Sequence, residues 1–342
     1  MTKRHTLQNN KQAKGQYFTT NAHTILNGWE HYVKNKEVID PFAGAYDLLH
    51  WALNAGALNA IGYDIEPKGS ALYNDSLANP VGMSDKVLVT NPPYLSKNKS
   101  KGQYTAIFDK WKQSDLYKCF LASLISSDCT TGIIIIPSNF FCESRPAARN
   151  SFFQYYSILA AKYWSTPIFE DATTGITAIL FERGGGIQQF PMTFYPENIT
   201  KNVVLEQQYD YLWGQEFFDL LPPAIKIIKT DEGMPAPNTN LVLGLLDKGK
   251  WTQGLSYNEG APIYCQPKAF TTYQLTIPGY NLTTERQKNI VQVFNKILQT
   301  YRTKYHGMFL GNYMGATQKI LSRSICHRLV TYALGSNDLL EF

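Results

Sequence analysis

Hydrophobic and polar positions follow two periods along the first half of the chain. From residue 24 apolar side chains recur at helical spacing, at Ile25, Leu26, Trp29, Tyr32 and Val33. Short apolar runs then alternate with helical patterns. Residues 37–40 predict a strand, 48–55 a helix, 60–64 a second strand, and 86–90 a third that enters a turn at Asn91-Pro92-Pro93-Tyr94. After a polar loop, 116–125 predicts a helix, 132–137 a buried strand, 152–161 a helix and 174–182 a late strand. Strands that are apolar throughout and alternate with helices belong to a parallel sheet covered on both faces. The expected class is therefore α/β, with a Rossmann-like, doubly wound sheet. The pattern breaks at Gly184-Gly185-Gly186, which predicts a linker. Residues 187–342 carry Pro and Gly breaks, a few short strands and a final helical stretch near 316–334, with no internal repeat.

Composition adds bounds rather than identity. A chain of 342 residues with 44% hydrophobic content buries a sizeable core, as one large domain or two ordinary ones. The net charge of +5 permits a polyanionic partner without requiring one. Cys119, Cys129, Cys142, Cys265 and Cys326 form no CxxC pair and have no histidines at zinc spacing, so free thiols in a reducing cytoplasm are expected. Residues 1–14 read as a flexible basic tail without the apolar core of a secretory signal. No apolar run is long enough to span a bilayer. A cytoplasmic protein without a membrane or metal is the expectation.

In an open α/β sheet, ligands collect at the carboxyl ends of the strands. Three of those ends carry unusual residues. Asp40-Pro41-Phe42-Ala43-Gly44 follows the first strand, where small residues admit a ligand to the backbone and a carboxylate suits the ammonium of an amino acid. An ordinary β–α turn would also accept this segment. Asp64, with Ile65, ends the second strand, where an acid accepts ribose hydroxyls or else stabilises a helix N-terminus. Asn91-Pro92-Pro93-Tyr94 follows the third, and its two prolines stiffen the backbone and fix the direction of the carbonyls and the Asn amide.

The Asn-Pro-Pro-Tyr tetrapeptide resembles the catalytic motif of amino-methyltransferases. Gly15-Gln16-Tyr17-Phe18-Thr19-Thr20 resembles the cofactor motif that precedes the sheet in the γ class of N6-adenine DNA methyltransferases, with Thr20 where proline is usual. The order of motifs is also that of the class, and the likeness covers about residues 15–183. It implies a methyltransferase domain over 15–183, a DNA target-recognition region over 187–342, and S-adenosyl-L-methionine as cofactor. Tyr17, Phe18, Thr19, Asp40, Phe42, Ala43, Gly44, Asp64, Ile65, Asp75, Ser76 and Asn91 are the implied cofactor residues. Asp75, sixteen residues before Asn91, matches the acid that meets the cofactor's adenine amino group. Asn91, Pro92, Pro93, Tyr94 and Phe169 are the implied catalytic group, with Tyr94 and Phe169 on either face of an extruded base. One departure stands out: Tyr46 occupies the second glycine place of the first-strand motif.

The implied chemistry is methylation of an exocyclic amine whose lone pair is delocalised into the ring. The Asn91 side-chain oxygen and the Pro92 carbonyl each suit one amino hydrogen, so alignment and fixed dipoles replace a strong base. A target inside a duplex has to flip out. Double-stranded DNA is the expected partner, with Lys97, Lys99, Lys101, Lys319 and Arg323 as candidate phosphate contacts. Lys319, Arg323 and His327 are spaced to share one helical face; a mobile solvated loop and a plain surface helix are the competing readings. The resemblance also implies a restriction-modification setting with a separately acting endonuclease. Methylation of RNA bases or protein glutamine remains open, as does an inactive nucleic-acid-binding relative.

Overall fold

A computed structural model describes residues 19–166, 168–169, 175–186, 188–246, 253–265, 271–311, 313–314 and 318–336. Tyr17, Phe18 and the expected basic tail over 1–14 lie outside them. The chain forms two compact units. The first comprises residues up to 140 with 145–211, and the second 141–144 with most of the chain from 212 onward.

The first unit is built on a nine-stranded sheet. Its strands are β1 (Glu37–Asp40), β2 (Asn59–Asp64), β3 (Leu72–Tyr73), β4 (Val87–Thr90), β5 (Thr131–Pro137), β6 (Tyr156–Trp164), β7 (Ile176–Arg183), β8 (Gln188–Tyr195) and β9 (Ile199–Leu205). Their spatial order is β3-β2-β1-β4-β5-β7-β6-β8-β9. β1 to β5 pair in parallel with their neighbours, β7 runs antiparallel between β5 and β6, and β9 is antiparallel to β8. The sheet is thus α/β and mostly parallel, as the continuous apolar strands predict. Ile133 to Ile136 of β5 have no exposure at all.

Helices α1 (Ala22–Leu26), α2 (Asp47–Asn54), α3 (Thr105–Trp111), α4 (Leu116–Ile125) and α5 (Ala147–Tyr155) belong to this unit. Ile25 and Leu26 of α1 join Leu48, Leu49 and Trp51 of α2 in one buried cluster with Val38, Val87 and Val89 of the sheet. The helix expected over 152–161 is instead the end of α5 followed by β6. A short apolar run has no period of its own, and here Ile158 to Trp164 is claimed by pairing to β7 on one side, with Ala161 to Trp164 also paired to β8 on the other. The sheet also continues past Gly184-Gly185-Gly186, so this segment is a turn within one unit and the compact division lies at Tyr211/Leu212.

The second unit holds a short helix α6 (Gln215–Leu220) and an antiparallel sheet of β10 (Ile228–Lys229), β13 (Thr272–Thr276), β11 (Leu241–Gly244) and β12 (Gly254–Tyr257), in that order. Helix α7 (Thr284–Lys304) packs on β12, where Asn295 receives the Leu255 N–H at 3.1 Å and returns a bond to its carbonyl at 2.7 Å. Strands β14 (Tyr313–Met314) and β15 (Gln318–Lys319) precede helix α8 (Arg323–Gly335). The final helix therefore starts at 323. Lys319 lies in β15, where it pairs with Tyr313 of β14, and it does not share a helical face with Arg323 and His327.

Tyr46, in the place of the expected glycine, keeps the backbone that glycine favours, with φ of 73°. Its ring turns into the core, 8% exposed, and its hydroxyl donates to the Ala60 carbonyl at 2.9 Å. The ring needs the absence of a side chain at Gly62 of β2, where a Cβ would come within 2.6 Å of the Tyr46 ring and 2.7 Å of the Ala43 Cβ. Gly62→Ala should therefore overpack the β1–α2 loop and cost about 1–3 kcal/mol, read as a lower urea midpoint at unchanged m. An unchanged midpoint would show that the loop has room to give.

Candidate active site

Strand order reverses between β1 and β4, because the chain leaves β1 toward β2 and β3 and returns to β4 on the opposite side. Such a reversal opens a crevice beyond the carboxyl ends of the two strands, where open α/β sheets bind ligands. Asp40 is the last residue of β1, and Asn91 is the first beyond β4. Asp40 is 1% exposed and accepts the Thr90 hydroxyl at 2.6 Å and the Phe42 N–H at 2.9 Å. It thus ties together the two strand ends that flank the crevice.

A cavity of about 770 Å³, open to solvent, occupies one end of the crevice. Asp64, Asp75, Ser76 and Asn91 give it polar walls, and Phe42, Ile65, Leu77, Pro93 and Leu116 apolar ones. A smaller cavity of about 230 Å³ shares Phe42, Gly44 and Asn91 with the first and adds Thr19, Asp40 and Ala43. The described residues expected to meet a cofactor (Thr19, Asp40, Phe42, Ala43, Gly44, Asp64, Ile65, Asp75, Ser76 and Asn91) all line one or the other.

Each acid is held by backbone donors. Asp64 accepts the Gly44 N–H at 2.9 Å and the Glu66 N–H at 2.7 Å. These bonds join the β1 loop to the β2 loop and fix the carboxylate at the cavity wall. Asp75 accepts the Leu77 and Ala78 N–H groups through one oxygen, at 3.2 and 3.1 Å.

The Asn-Pro-Pro-Tyr segment is set by its side chains. The Asn91 amide donates to Thr19 Oγ1 at 3.0 Å. The Tyr94 hydroxyl contacts the Asn91 side-chain oxygen and lies 2.8 Å from the Ile135 carbonyl. Thr19 thereby turns the amide so that its nitrogen faces the N-terminal segment and its oxygen the opposite side. Pro92 is buried, and Pro93 is half-buried at the cavity wall. Tyr94 is half-buried against the same apolar cluster that contains Phe169, which is 4% exposed. Neither ring lines the two cavities.

The candidate phosphate contacts differ in their surroundings. Lys97, Lys99 and Lys101 are exposed, but Lys97 already pairs with Asp109 at 2.9 Å. An exposed pair of this kind is worth about 0–1 kcal/mol, so a phosphate can compete for the lysine. Arg323 is exposed, with its guanidinium 5.5 Å from the Tyr273 ring centroid. His327, one turn on, is half-buried and its Nε2 has no partner.

The motifs did not single out Glu66, Lys68, Asn74, Leu77, Tyr104 and Leu116, which also line the larger cavity. Leu77 and Asn74 flank Asp75-Ser76 and were within reach of the same reading. Tyr104 lies thirteen residues beyond Asn91, in a loop with no periodicity, and only folding brings it back. Among the described residues no group of three or more His, Cys, Asp or Glu side chains could hold a metal ion, and no helix is long and apolar enough to cross a membrane.

No family model and no curated protein matches the sequence. Solved structures do. The M protein of the type I restriction enzyme EcoKI matches at 12% identity over 96% of this chain and 72% of its own, with a TM-score of 0.43. The methyltransferase subunit of a type I restriction-modification system from Streptococcus thermophilus matches at 12% identity over 57% of this chain and 51% of its own, with a TM-score of 0.38. TrmN from Thermus thermophilus matches at 17% identity over 48% of each chain, with a TM-score of 0.32. The chain spans about half the length of the type I proteins that it matches first. Overlaps of this quality carry no chemistry of their own, and the residues of the crevice have to supply it.

Burial lifts the Asp40 carboxyl from 3.8 to about 7, against the bonds from Thr90 and Phe42 that pull it down, and the charge on Asp64 adds to the rise. A folded-state value above the unfolded one gives stability that is complete below pH 3.8 and is lost as pH rises through about 7. The ligand-free protein should therefore lose stability across that window. Asp40→Asn, which can still accept both hydrogen bonds, should flatten the decline. Urea midpoints measured from pH 4 to pH 8 check this. Parallel curves for the two proteins would show that Asp40 is ionised throughout.

Proposed function

We propose that the chain is an S-adenosylmethionine-dependent methyltransferase acting on the N6 amine of adenine in double-stranded DNA, in a restriction-modification setting. The observation that carries this reading is the alignment, in one crevice, of Asp40, Asp64, Asp75 and Asn91 around two cavities that share Phe42, Gly44 and Asn91. The polar walls fit the three ends of the cofactor. Asp40, buried and raised, suits an ammonium group, whose charge would favour its ionised form. Asp64 has its carboxylate at the cavity wall for a pair of ribose hydroxyls, and Asp75 suits an adenine amino group. Ile65, Pro93 and Leu116 offer apolar surface to a purine. When bound, the cofactor supplies a methyl group made electrophilic by a sulfonium.

The chain's own residues hold the acceptor. The Asn91 oxygen and the Pro92 carbonyl would each take one hydrogen of the target amine, drawing its nitrogen toward a tetrahedral shape. Thr19 fixes the Asn91 amide, so this acceptor is oriented before the substrate arrives. Tyr94 would leave its contacts with Asn91 and Ile135 to stack on an extruded base, and Phe169 would face it from the other side. Lys99 and Lys101 would meet the strand backbone beside the flipped nucleotide. The motif order and the Gly15 to Thr20 segment favour adenine, and DNA over RNA or protein.

Asp64→Ala should weaken S-adenosylmethionine binding at least about tenfold, since two charge-assisted bonds are lost. Calorimetry with equal affinities would remove Asp64 from the site. Thr19→Val should lower the methylation rate with little change in cofactor affinity, and Thr19→Ser should restore it. A parallel loss of affinity in Thr19→Val would assign Thr19 to the cofactor instead.

The whole reading is tested on product. Mass spectrometry of nucleosides from DNA treated with the purified protein should show N6-methyladenine, and Asn91→Ala should reduce it about 10²–10³-fold. Methylation of RNA or of protein alone, or an Asn91→Ala variant as active as the wild type, would refute it.

A further inference from the structure

The loop after Asn-Pro-Pro-Tyr reaches back to the cofactor cavity. Leu95 anchors its start, with its carbonyl accepting the Leu116 N–H at 3.0 Å, and the Lys97 N–H donates to Ser114 at 2.8 Å. Lys97, Lys99 and Lys101 stand exposed on it, while Ser100 between them is buried and bonds the Lys97 carbonyl at 2.8 Å. The loop closes through three residues in the left-handed region, Lys101, Gly102 and Tyr104, with φ of 51°, 85° and 59°. Tyr104 stands at the N-cap of helix α3 without a side-chain capping hydrogen bond, in a backbone state costly for an aromatic residue, and it lines the larger cavity. Nothing in helix formation asks for a tyrosine there.

Helix α3 is in turn fastened to the opposite wall. Trp111 donates to the Leu77 carbonyl at 2.8 Å, and Lys110 to the Ala78 carbonyl at 2.6 Å. These residues follow Asp75-Ser76 directly. Asp109 of the same helix holds Lys97. Loop and helix are therefore one continuous segment, tied to the Asp75 wall through Leu77 and Ala78, that carries three exposed lysines and the cavity-lining Tyr104.

We propose that residues 96–111 couple cofactor and DNA binding, with Tyr104 as the residue that contacts the cofactor. This rests on the methyltransferase reading above. A phosphate backbone on Lys99 and Lys101 would hold the loop in place, and so hold the Tyr104 ring against the adenosine part of the cofactor. A bound cofactor would hold the same loop ready for the backbone. Each ligand then favours the loop position that the other binds, and the coupling factor is the same in both directions.

The test is a titration of the full chain with S-adenosylhomocysteine, alone and with a short mixed-sequence DNA duplex at low salt. In the wild type the duplex should tighten S-adenosylhomocysteine binding about fivefold or more. Tyr104→Phe should keep this ratio. Tyr104→Ala should weaken binding about threefold to tenfold without DNA and bring the ratio close to one. Tyr104→Asn, which tolerates left-handed backbone, should do the same without added strain. Asp64→Ala should lose affinity but retain the ratio, separating a cofactor contact from the coupling element. A ratio of one in the wild type, or an undiminished ratio in both truncations, overturns the proposal while leaving the enzyme reading intact. If the wild type fails to bind S-adenosylhomocysteine at all, the reading beneath it falls as well.

Discussion

The hydrogen bond from the Thr90 hydroxyl to the Asp40 carboxyl, 2.6 Å long, joins the ends of β1 and β4 where the strand order reverses. Around it the crevice takes shape. The Phe42 N–H, on the same carboxyl oxygen, directs the chain from β1 toward Gly44. Gly44 then donates to Asp64, which ties the first strand's loop to the second's. Asn91 follows Thr90 immediately and is turned by Thr19. A carboxyl so deeply buried is costly when ionised and unpartnered. Burial outweighs the two bonds from Thr90 and Phe42, and so the Asp40 carboxyl is raised to about 7.

Charge in this chain does more structural work than its sum suggests. Several of its cations are committed to backbone carbonyls near helix ends, where the helix leaves acceptors over. Lys162 donates to Ile25 at 3.2 Å and to Asn27, holding the end of α1 and hence the segment that carries Thr19. Arg183 donates to Ser127 at 2.9 Å, just beyond α4. In the second unit Arg286 bonds Leu334 and Ser336 at the end of α8, and Arg328 bonds Phe218 and Pro222 around the end of α6. The net +5 is therefore no measure of a polyanion-binding face. The exposed lysines beside the crevice carry that argument.

The parts of the site legible in the sequence are those at strand ends, because a buried parallel strand is a plain apolar run and the residue that ends it is conspicuous. Asp40, Asp64 and Asn91 were readable for that reason, and Asp75 through its spacing from Asn91. Tyr104 and Thr90 were not. One is brought back by a loop without periodicity, and the other is an ordinary strand residue until Asp40 is placed beside it. Two errors of element have the same origin. Residues 156–161 carry an apolar run that suits helix or strand, and neighbouring strands decided it. Lys319 falls at helical spacing from Arg323, but strand pairing ends just before the helix begins. Helix α7, in contrast, is plain in its sequence: Ile290, Val293, Phe294, Ile297 and Leu298 form a helical stripe behind the Thr283 cap.

The central claim is that the crevice between β1 and β4 holds an S-adenosyl cofactor in a defined direction. A crystal structure of the protein with S-adenosylhomocysteine tests it most directly. The account predicts the ribose hydroxyls on Asp64, the ammonium toward Asp40, the adenine between Ile65 and Pro93, and the sulfur facing Asn91. Density for the ligand in the reverse direction, or bound elsewhere with this crevice empty, would contradict it.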